Sequence, residues 1–292
     1  MTITAKIIAD SISEAGKRIT TMQLCYPRFI HAEFMTHRVF SRNASSSRAI
    51  PVAKMIEQVR TNPAMPIHWG KNQAGMQADE ELAGIELRLA RQWWGVAAEE
   101  AAHIAEMMAT SGLHKQVANR ILEPFQYIHV IVTATEWDNF FELRCHEDAQ
   151  PEIHELAVQM RAARAASVPD TLLEGEWHLP YVEEHELSDA LGHRCNAEEG
   201  WDLMRRVSAA RCCRVSYLKH DGMPATIEEE LALCDRLIGS RPLHASPFEH
   251  QATPDTYHKE GKFGGSDYWE KSYLHGNFVG WVQHRKLLEG TY

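Results

Sequence analysis

Three stretches of the chain have the residue pattern of β-strands. Residues 2–12, TITAKIIADSI, and residues 18–26, RITTMQLCY, are separated by a short turn that contains Gly16. Residues 125–135, FQYIHVIVTAT, are rich in aromatic and β-branched side chains, which favour a strand. The pattern therefore predicts a small sheet built mainly from these segments.

Apolar residues at helical spacing predict helices along much of the remaining chain. The predicted helices cover residues 27–40, 51–60, 79–111, 113–123, 136–144, 151–166, 198–211, 226–239 and 276–290. A further short strand is expected after HASPFEH, and GKFGGSDY at 261–268 is predicted to be a glycine-rich loop. Residues 167–197 look irregular and form a soft boundary within a single expected domain, 1–292. Helices packed around a small, mainly antiparallel sheet make α+β the expected fold class.

The composition of the 292-residue chain is that of an ordinary globular protein, with 44% hydrophobic and 24% charged residues. A formal net charge of −10 argues against nucleic-acid binding, because there is no basic excess to neutralise phosphates. No apolar run approaches the ~18 residues of a membrane span, and no secretory leader is evident. We therefore expect a cytoplasmic protein, in the host cytoplasm if it is viral. The six cysteines lack C-x-x-C spacing, which favours reduced thiols.

The most unusual stretch is FMTHRVFSRNASSSRAIP at residues 34–51, where a helical pattern runs into four serines. Arg38, Arg42 and Arg48 surround these serines. Hydroxyls, backbone N–H groups and arginines beside a helix end suit a phosphate monoester. A serine run is also typical of a solvated surface loop, so the residues alone leave both interpretations open.

Motifs for other chemistries are incomplete. The H-x-E at His31 to Glu33 resembles half of a zinc deaminase site, but no P-C-x-x-C follows. The segment HEDAQPEIHE at 146–155 lacks the paired histidines of H-E-x-x-H. Neither G-x-G-x-x-G, G-x-x-x-x-G-K-[ST] nor G-x-S-x-G occurs. We therefore expect no metal centre, no Rossmann or P-loop nucleotide site and no serine hydrolase.

Five blocks together resemble the flavin-dependent thymidylate synthases (ThyX). The blocks are THRVFSRNASSSR (36–48), QVANRILEP (116–124), DNFFELR with DAQPEI (138–153), AARCCRVSY (209–217) and HASPFEH (244–250). The resemblance covers most of the chain outside roughly 61–110, 167–197 and 255–275. The first block resembles the family signature that begins with R-H-R, which corresponds to residues 36–38 here. In the family pattern the last two blocks precede this signature, whereas here they follow it. The chain therefore resembles a circularly permuted member. The segment FVGWVQHRK (278–286) echoes the lead into R-H-R, and we expect a packing helix there.

The resemblance implies a site for a flavin, a nucleotide and a folate. It assigns to the flavin His37, Arg38, Asn43, Thr133, Thr135, Asn139, Ser246 and Glu249. It assigns to the nucleotide Glu33, Ser45, Ser46, Ser47, Arg48, Arg120 and Arg144. It gives catalytic roles to Arg144 and His244: Arg144 would face the pyrimidine ring, and His244 would lie near the flavin where folate and nicotinamide stack.

The implied activity is the FAD-dependent conversion of dUMP to dTMP with methylenetetrahydrofolate and NADPH, in a homotetramer with sites shared between subunits. Two departures from the family pattern are Thr36 in place of the first arginine of R-H-R and Ala44 in place of a glutamate. They make a flavin-dependent pyrimidine nucleotide hydroxymethylase, or a dCMP-directed variant, the main alternative. A nucleotide-binding module without activity and a metal-dependent hydrolase are more distant ones.

Overall fold

The computed structural model describes residues 3–192, 196–215, 222–240, 242–259 and 266–289. The strands are β1 (Thr4–Ser13), β2 (Arg18–Pro27), β3 (Ser41–Ala44), β4 (Tyr127–Ala134), β5 (Asp170–Leu172), β6 (Ala252–Pro254), β7 (Tyr257–His258), β8 (Tyr268–Trp269) and β9 (Trp281–Gln283). The α-helices are α1 (His31–Phe34), α2 (Val52–Thr61), α3 (Gly84–Thr110), α4 (Lys115–Ala118), α5 (Asp138–Arg144), α6 (Pro151–Ala166), α7 (Glu184–Gly192), α8 (Ala197–Arg214), α9 (Ile227–Gly239) and α10 (His284–Glu289). Short 3₁₀ helices cover Arg28–Ile30, Asn119–Phe125, Ser246–Glu249 and Ser272–Leu274.

Five strands form the main sheet in the order β3-β4-β2-β1-β5. All neighbouring pairs are antiparallel except β1 and β5. Alternate residues of β4 face opposite sides, because successive side chains of a strand alternate. Val130 and Val132 pack with Leu156 of α6, whereas Ile131 packs with Cys212 of α8. Helices therefore cover both faces of the sheet, which confirms the α+β prediction.

Local sequence signals explain why several helices lie where they are predicted. At the start of α6, Pro151 occupies the first turn and the Gln150 side chain accepts a hydrogen bond from the Ile153 N–H group. At the start of α9, Thr226 and Glu229 form a reciprocal capping box. These contacts satisfy N–H groups that a helix start leaves without partners.

Two predicted elements have the wrong type. The polar run after residue 40 is predicted as a loop, but Ser41–Ala44 pairs with β4 as an edge strand. Strand pairing overrides the low strand propensity of these residues. The predicted helix at 276–290 is instead β9 followed by α10, because β9 pairs with β6 and Gly280 has a φ of 79°.

Other predictions differ in extent. The helix predicted over 27–40 ends at Phe34, and the one predicted over 79–111 begins at Gly84. The stretch 167–197 contains β5 and α7, whose short lengths give weak sequence patterns. Most of the predicted loop 261–268, the last two residues of block 209–217, and Cys195 lie outside the described residues. No described cysteine forms a disulfide, and no helix of the described ranges is long and apolar enough to cross a membrane.

Candidate active site

A contact between Arg144 and His37 joins two of the predicted site residues. The Arg144 Nε donates to His37 Nε2 at 3.1 Å. Its terminal nitrogens make longer contacts, 3.5 Å from Nη2 to Thr36 Oγ1 and 3.9 Å from Nη1 to Glu33 Oε2. The structure therefore brings the end of α5 and the turn after α1 together around one guanidinium group.

Hydrogen bonds from the Arg42 side chain hold the turn that carries His37. The Arg42 Nη1 donates to the His37 carbonyl at 2.9 Å and to the Phe34 carbonyl at 3.3 Å. The His37 ring packs edge-on against Phe140, with centroids 4.8 Å apart, and stacks on Phe40 at 5.9 Å. These contacts orient the imidazole so that Nε2 faces α5.

The environment of His37 keeps its imidazole neutral. The side chain is buried, and burial together with the positive charges of Arg144 and Arg42 lowers the pKa of His37. Since Nε2 accepts from Arg144, the ring proton lies on Nδ1. A neutral His37 can hold the Arg144 guanidinium without repelling it, and the arginine keeps its full charge.

The serine-rich run divides into a structural and an exposed part. The Ser45 hydroxyl accepts from the His129 N–H group of β4 at 3.2 Å. Ser47 is buried, and its hydroxyl donates to Glu123 Oε1 at 3.2 Å. Ser46 is exposed. Of these three predicted nucleotide ligands, Ser46 is therefore the one whose hydroxyl can readily reach an external molecule.

Positive charge accumulates beside the serine-rich run. The Glu123 carboxylate forms ion pairs with Arg120 at 2.8 Å and with Arg28 at 3.0 Å. Arg48, at the end of the run, is exposed. Two guanidinium groups on one carboxylate, with Arg48 exposed in the same run, leave a positive surplus that suits a dianionic phosphate.

The Ser-Pro-Phe-Glu turn lies against the His37 turn, although the two are far apart in sequence. Gln283 Nε2 donates to the Glu249 carbonyl at 3.1 Å and contacts Ser41 Oγ at 3.2 Å. The Glu249 carboxylate forms an ion pair with Arg285. The structure thus places predicted flavin residues from both ends of the chain in one region.

Three residues assigned to the flavin are engaged within the protein. Thr133 is fully buried, and its hydroxyl bonds to His250 Nδ1 at 2.9 Å. The Thr135 hydroxyl accepts from the Val279 N–H group at 3.0 Å. The Asn43 Nδ2 donates to a carbonyl of α8 at 3.1 Å. The side chains of Thr133, Thr135 and Asn43 therefore bond to other parts of the protein, and the structure does not direct them toward a ligand.

The remaining predicted residues are accessible. Arg38, Asn139 and His244 are exposed, and Ser246 is partly exposed at the start of its 3₁₀ turn. Their side chains can reach a bound molecule without rearrangement of the core. Within the described ranges, no three His, Cys, Asp or Glu side chains come together as metal ligands.

Three large apolar side chains next to His37 and Arg144 in sequence are exposed. Met35, Val39 and Leu143, which neighbour this contact in sequence, are 43%, 49% and 53% exposed. Apolar walls with a few fixed polar groups are typical of cofactor sites. With Arg38 exposed beside them, the residues present fit a flavin with its phosphates.

Three residues that the sequence analysis did not assign also organise the region. Arg42 fixes the His37 turn, and Asn277 and Gln283 join that turn to the Ser246–Glu249 turn. Gln283 belongs to the echo of the R-H-R lead at 278–286. This similarity was the sequence signal that could have indicated a role for Gln283, since it places a polar side chain at the end of an apolar strand.

Comparisons with known proteins match the first part of the chain. Residues 18–170 match the family model Thy1, thymidylate synthase complementing protein. Among solved structures, the UMP/dUMP methylase PolB from Streptomyces cacaoi bound with 5-Br dUMP is 19% identical with a TM-score of 0.46, over 56% of this chain and 90% of that chain. Its complex with 5-Br UMP gives 18% and 0.47, over 56% and 88%. No curated protein matches the sequence.

Proposed function

The chain belongs to the thymidylate synthase complementing protein (Thy1) family, and from this premise we propose that it is a flavin-dependent thymidylate synthase. The proposed reaction converts dUMP to dTMP with FAD as cofactor, methylenetetrahydrofolate as one-carbon donor and NADPH as reductant. The observation that carries the proposal is the Arg144–His37 contact, together with the exposed Ser46 and Arg48 of the serine-rich run. The predicted family resemblance is confirmed, and the cofactors and reactants remain part of the proposal.

Arg144 would polarise the pyrimidine ring. His37 occupies its Nε, whereas its terminal nitrogens make the long contacts to Thr36 and Glu33. These terminal N–H groups are therefore available to donate to a ring carbonyl or to a ring nitrogen that becomes negative. Arginine stays protonated at any working pH, so it stabilises this charge without giving up a proton.

Ser46, Arg48 and Arg120 would bind the nucleotide phosphate. Ser46 offers an exposed hydroxyl, and the two arginines offer planar donor pairs that match phosphate oxygens. Among the described residues the Ser46 hydroxyl accepts from the Arg48 N–H group at 3.3 Å and contacts no histidine or carboxylate, so we assign it binding and not nucleophilic attack. Phosphate binding here would fix the position of the base relative to Arg144.

Arg38, Asn139, Ser246 and Glu249 would hold the flavin, next to the apolar surface of Met35, Val39 and Leu143. When bound, the flavin would supply the redox chemistry of the reaction. The protein residues would orient the ring and exclude water from it. His244, which is exposed, would contact the folate or nicotinamide that approaches the ring.

We further propose that a second copy of the chain covers α3, as in the expected homotetramer with shared sites. One side of α3 exposes large apolar side chains within about 80° of arc at 100° per residue. These are Ile85, Leu89, Trp93, Val96 and Met107. Covering this side with a second copy would remove these apolar side chains from water.

A second candidate function rests on Thr36. Its hydroxyl, and not an arginine, lies beside the Arg144 guanidinium. A small hydroxyl there leaves room and removes one positive charge, which changes how a pyrimidine can be oriented. A dCMP-directed enzyme or a pyrimidine nucleotide hydroxymethylase of the same family is therefore the alternative.

The direct test is flavin binding followed by product analysis. Purified protein should bind FAD at one equivalent per chain, and with methylenetetrahydrofolate and NADPH it should convert dUMP to dTMP. Mass spectrometry of the nucleotide separates this result from conversion of dCMP or from a hydroxymethyl product. Protein that binds no FAD in a fluorescence titration would refute the proposal.

Two substitutions test the assigned roles. Arg144→Ala should abolish turnover while nucleotide still binds. Ser46→Ala should keep turnover and weaken nucleotide binding by about 1.5–3 kcal/mol, the value of a hydrogen bond to a charged group. Arg236→Ala, at an exposed position of α9, is the matched control. An active Arg144→Ala enzyme, or an inactive Ser46→Ala enzyme that binds nucleotide normally, would contradict the assignment.

A further inference from the structure

The segment from Gly276 to Arg285 lies outside the matched family region and contacts both parts of the candidate site. Asn277 Nδ2 donates to the Val39 carbonyl at 2.8 Å, and Asn277 Oδ1 accepts from Ser41 Oγ at 3.1 Å. Val39 and Ser41 end the turn that carries His37. The segment therefore holds the C-terminal end of that turn through an amide side chain.

Gln283 is the centre of this connection. Its side chain is 2% exposed, and Nε2 lies within 3.2 Å of Ser41 Oγ, 3.0 Å of Asn277 Oδ1 and 3.1 Å of the Glu249 carbonyl. One buried amide group thus joins the His37 turn, through Ser41, to the Ser246–Glu249 turn. An apolar side chain would satisfy none of these oxygen atoms.

The backbone around Gln283 is shaped to admit its amide. A Cβ atom added to Gly276 would lie 2.4 Å from Gln283 Oε1, and Gly276 has a φ of 63°, which glycine adopts readily. On the other side, Arg285 pairs with the Glu249 carboxylate. Glu249 is therefore held at its backbone by Gln283 and at its side chain by Arg285.

We propose that Gln283 is a positioning residue that sets the distance between the His37–Arg38 turn and Glu249, and so sets the affinity of the site for the flavin. This inference rests on the proposed function for the identity of the cofactor. Gln283 does not itself touch the reacting groups. The Gln283 amide is a buried donor shared by the His37 turn and the Ser246–Glu249 turn. Its hydrogen bonds form in one relative position of the two turns, so other relative positions are disfavoured.

The first measurement needs no cofactor. In flavin-free protein, Gln283→Ala should raise amide hydrogen exchange in residues 35–40 by about tenfold, the effect of losing about one net hydrogen bond. Exchange in α2 should stay at the wild-type rate, because α2 packs with α3 in a separate core cluster. Faster exchange in α2 as well would show general destabilisation and would overturn the proposal.

The second measurement is FAD affinity at two pH values. Gln283→Glu places a carboxylate beside three oxygen atoms at pH 8, whereas the protonated carboxyl at lower pH can donate one hydrogen bond. Relative to wild type, its Kd for FAD should be about tenfold higher at pH 8 and recover toward wild type at pH 6. Asn72→Asp, at an exposed position in the loop before α3, should match wild type at both pH values.

The outcomes separate the two proposals. Wild-type protein that binds no FAD refutes the proposed function, while the exchange measurement still reports whether Gln283 holds the turn. Wild-type protein that binds FAD, together with a Gln283→Glu variant of unchanged affinity at both pH values, overturns the role assigned to Gln283. Faster exchange of residues 35–40 without a change in FAD affinity also overturns it.

Discussion

Acidification from pH 7.5 to pH 5 should destabilise the protein through three buried histidines, His178, His250 and His284. Burial lowers the pKa of each to about 3; the charge of Asp10 partly opposes this at His178, and that of Arg205 adds to it at His284. His250 Nε2 and His284 Nδ1 are buried without a hydrogen-bond partner among the described residues. Protonating either nitrogen would place a charged donor in an environment that cannot solvate it.

The magnitude follows from the difference between the folded and unfolded pKa values. An unfolded histidine has a pKa of about 6.5, so at pH 5 the unfolded chain binds protons that the folded chain does not. Stability is therefore fully present above pH 6.5 and is lost as the pH falls toward 3. Each histidine should cost about 2 kcal/mol between pH 7.5 and 5, and the three together about 6 kcal/mol as an upper bound. A typical domain has a total stability of 5–15 kcal/mol, so the loss should be large.

Urea unfolding followed by tryptophan fluorescence, at one fixed protein concentration, measures this loss. His284→Leu removes one of these groups and should reduce the pH-dependent loss by about 2 kcal/mol. His185→Leu, at an exposed position of α7, should leave the loss unchanged. Equal unfolding free energies at pH 7.5 and 5 would refute the reasoning, as would an unaltered pH dependence in His284→Leu.

Two further predictions concern the assembly and the serine-rich run. Trp93→Glu should convert the oligomer to smaller species in light scattering, because it places a charge in the apolar side of α3, whereas Arg91→Gln should have a weaker effect; a monomeric wild-type protein would contradict the proposed interface. Asn119→Ala should weaken nucleotide binding and lower stability by about 1–3 kcal/mol, since the buried Asn119 Nδ2 donates to the Ser47 carbonyl at 2.6 Å and holds the run. Gln116→Ala is the exposed control, and equal nucleotide affinity in both variants would exclude this role.

The sequence predicts best where a strong local pattern and the final contacts agree. The strand 125–135 and the helix 151–166 are found as β4 and α6, with a cap and a proline that fix where α6 begins. The pairing of Arg144 with His37 has no local signal, because the two residues lie on separate elements. The family resemblance placed them in one site, and the structure shows their contact at 3.1 Å.

Other features could not be predicted because they depend on pairing between distant segments. Ser41–Ala44 becomes a strand because the edge of β4 is available to it, and its own residues favour a turn. The segment 276–290 contains a helical pattern, yet β6 draws Trp281–Gln283 into a strand. Gln283 can bond to Ser41 because each residue belongs to one of these two strands, so its role could not be predicted without them.

The two blocks that follow the matched family region, at 209–217 and 244–250, lie beside β3 and the His37 turn. The block at 209–217 contributes the Cys212 carbonyl, which accepts from Asn43 Nδ2 at 3.1 Å beside β3. The Ser246–Glu249 turn follows in the same region, joined through Gln283 to Ser41. Removing these C-terminal contacts would leave the Ser41 hydroxyl and the Val39 carbonyl without the partners they now have, at the two positions that end the His37 turn. The part of the chain that matches the family and the part that follows it are therefore energetically coupled at the candidate site, and a substitution in either should alter the other.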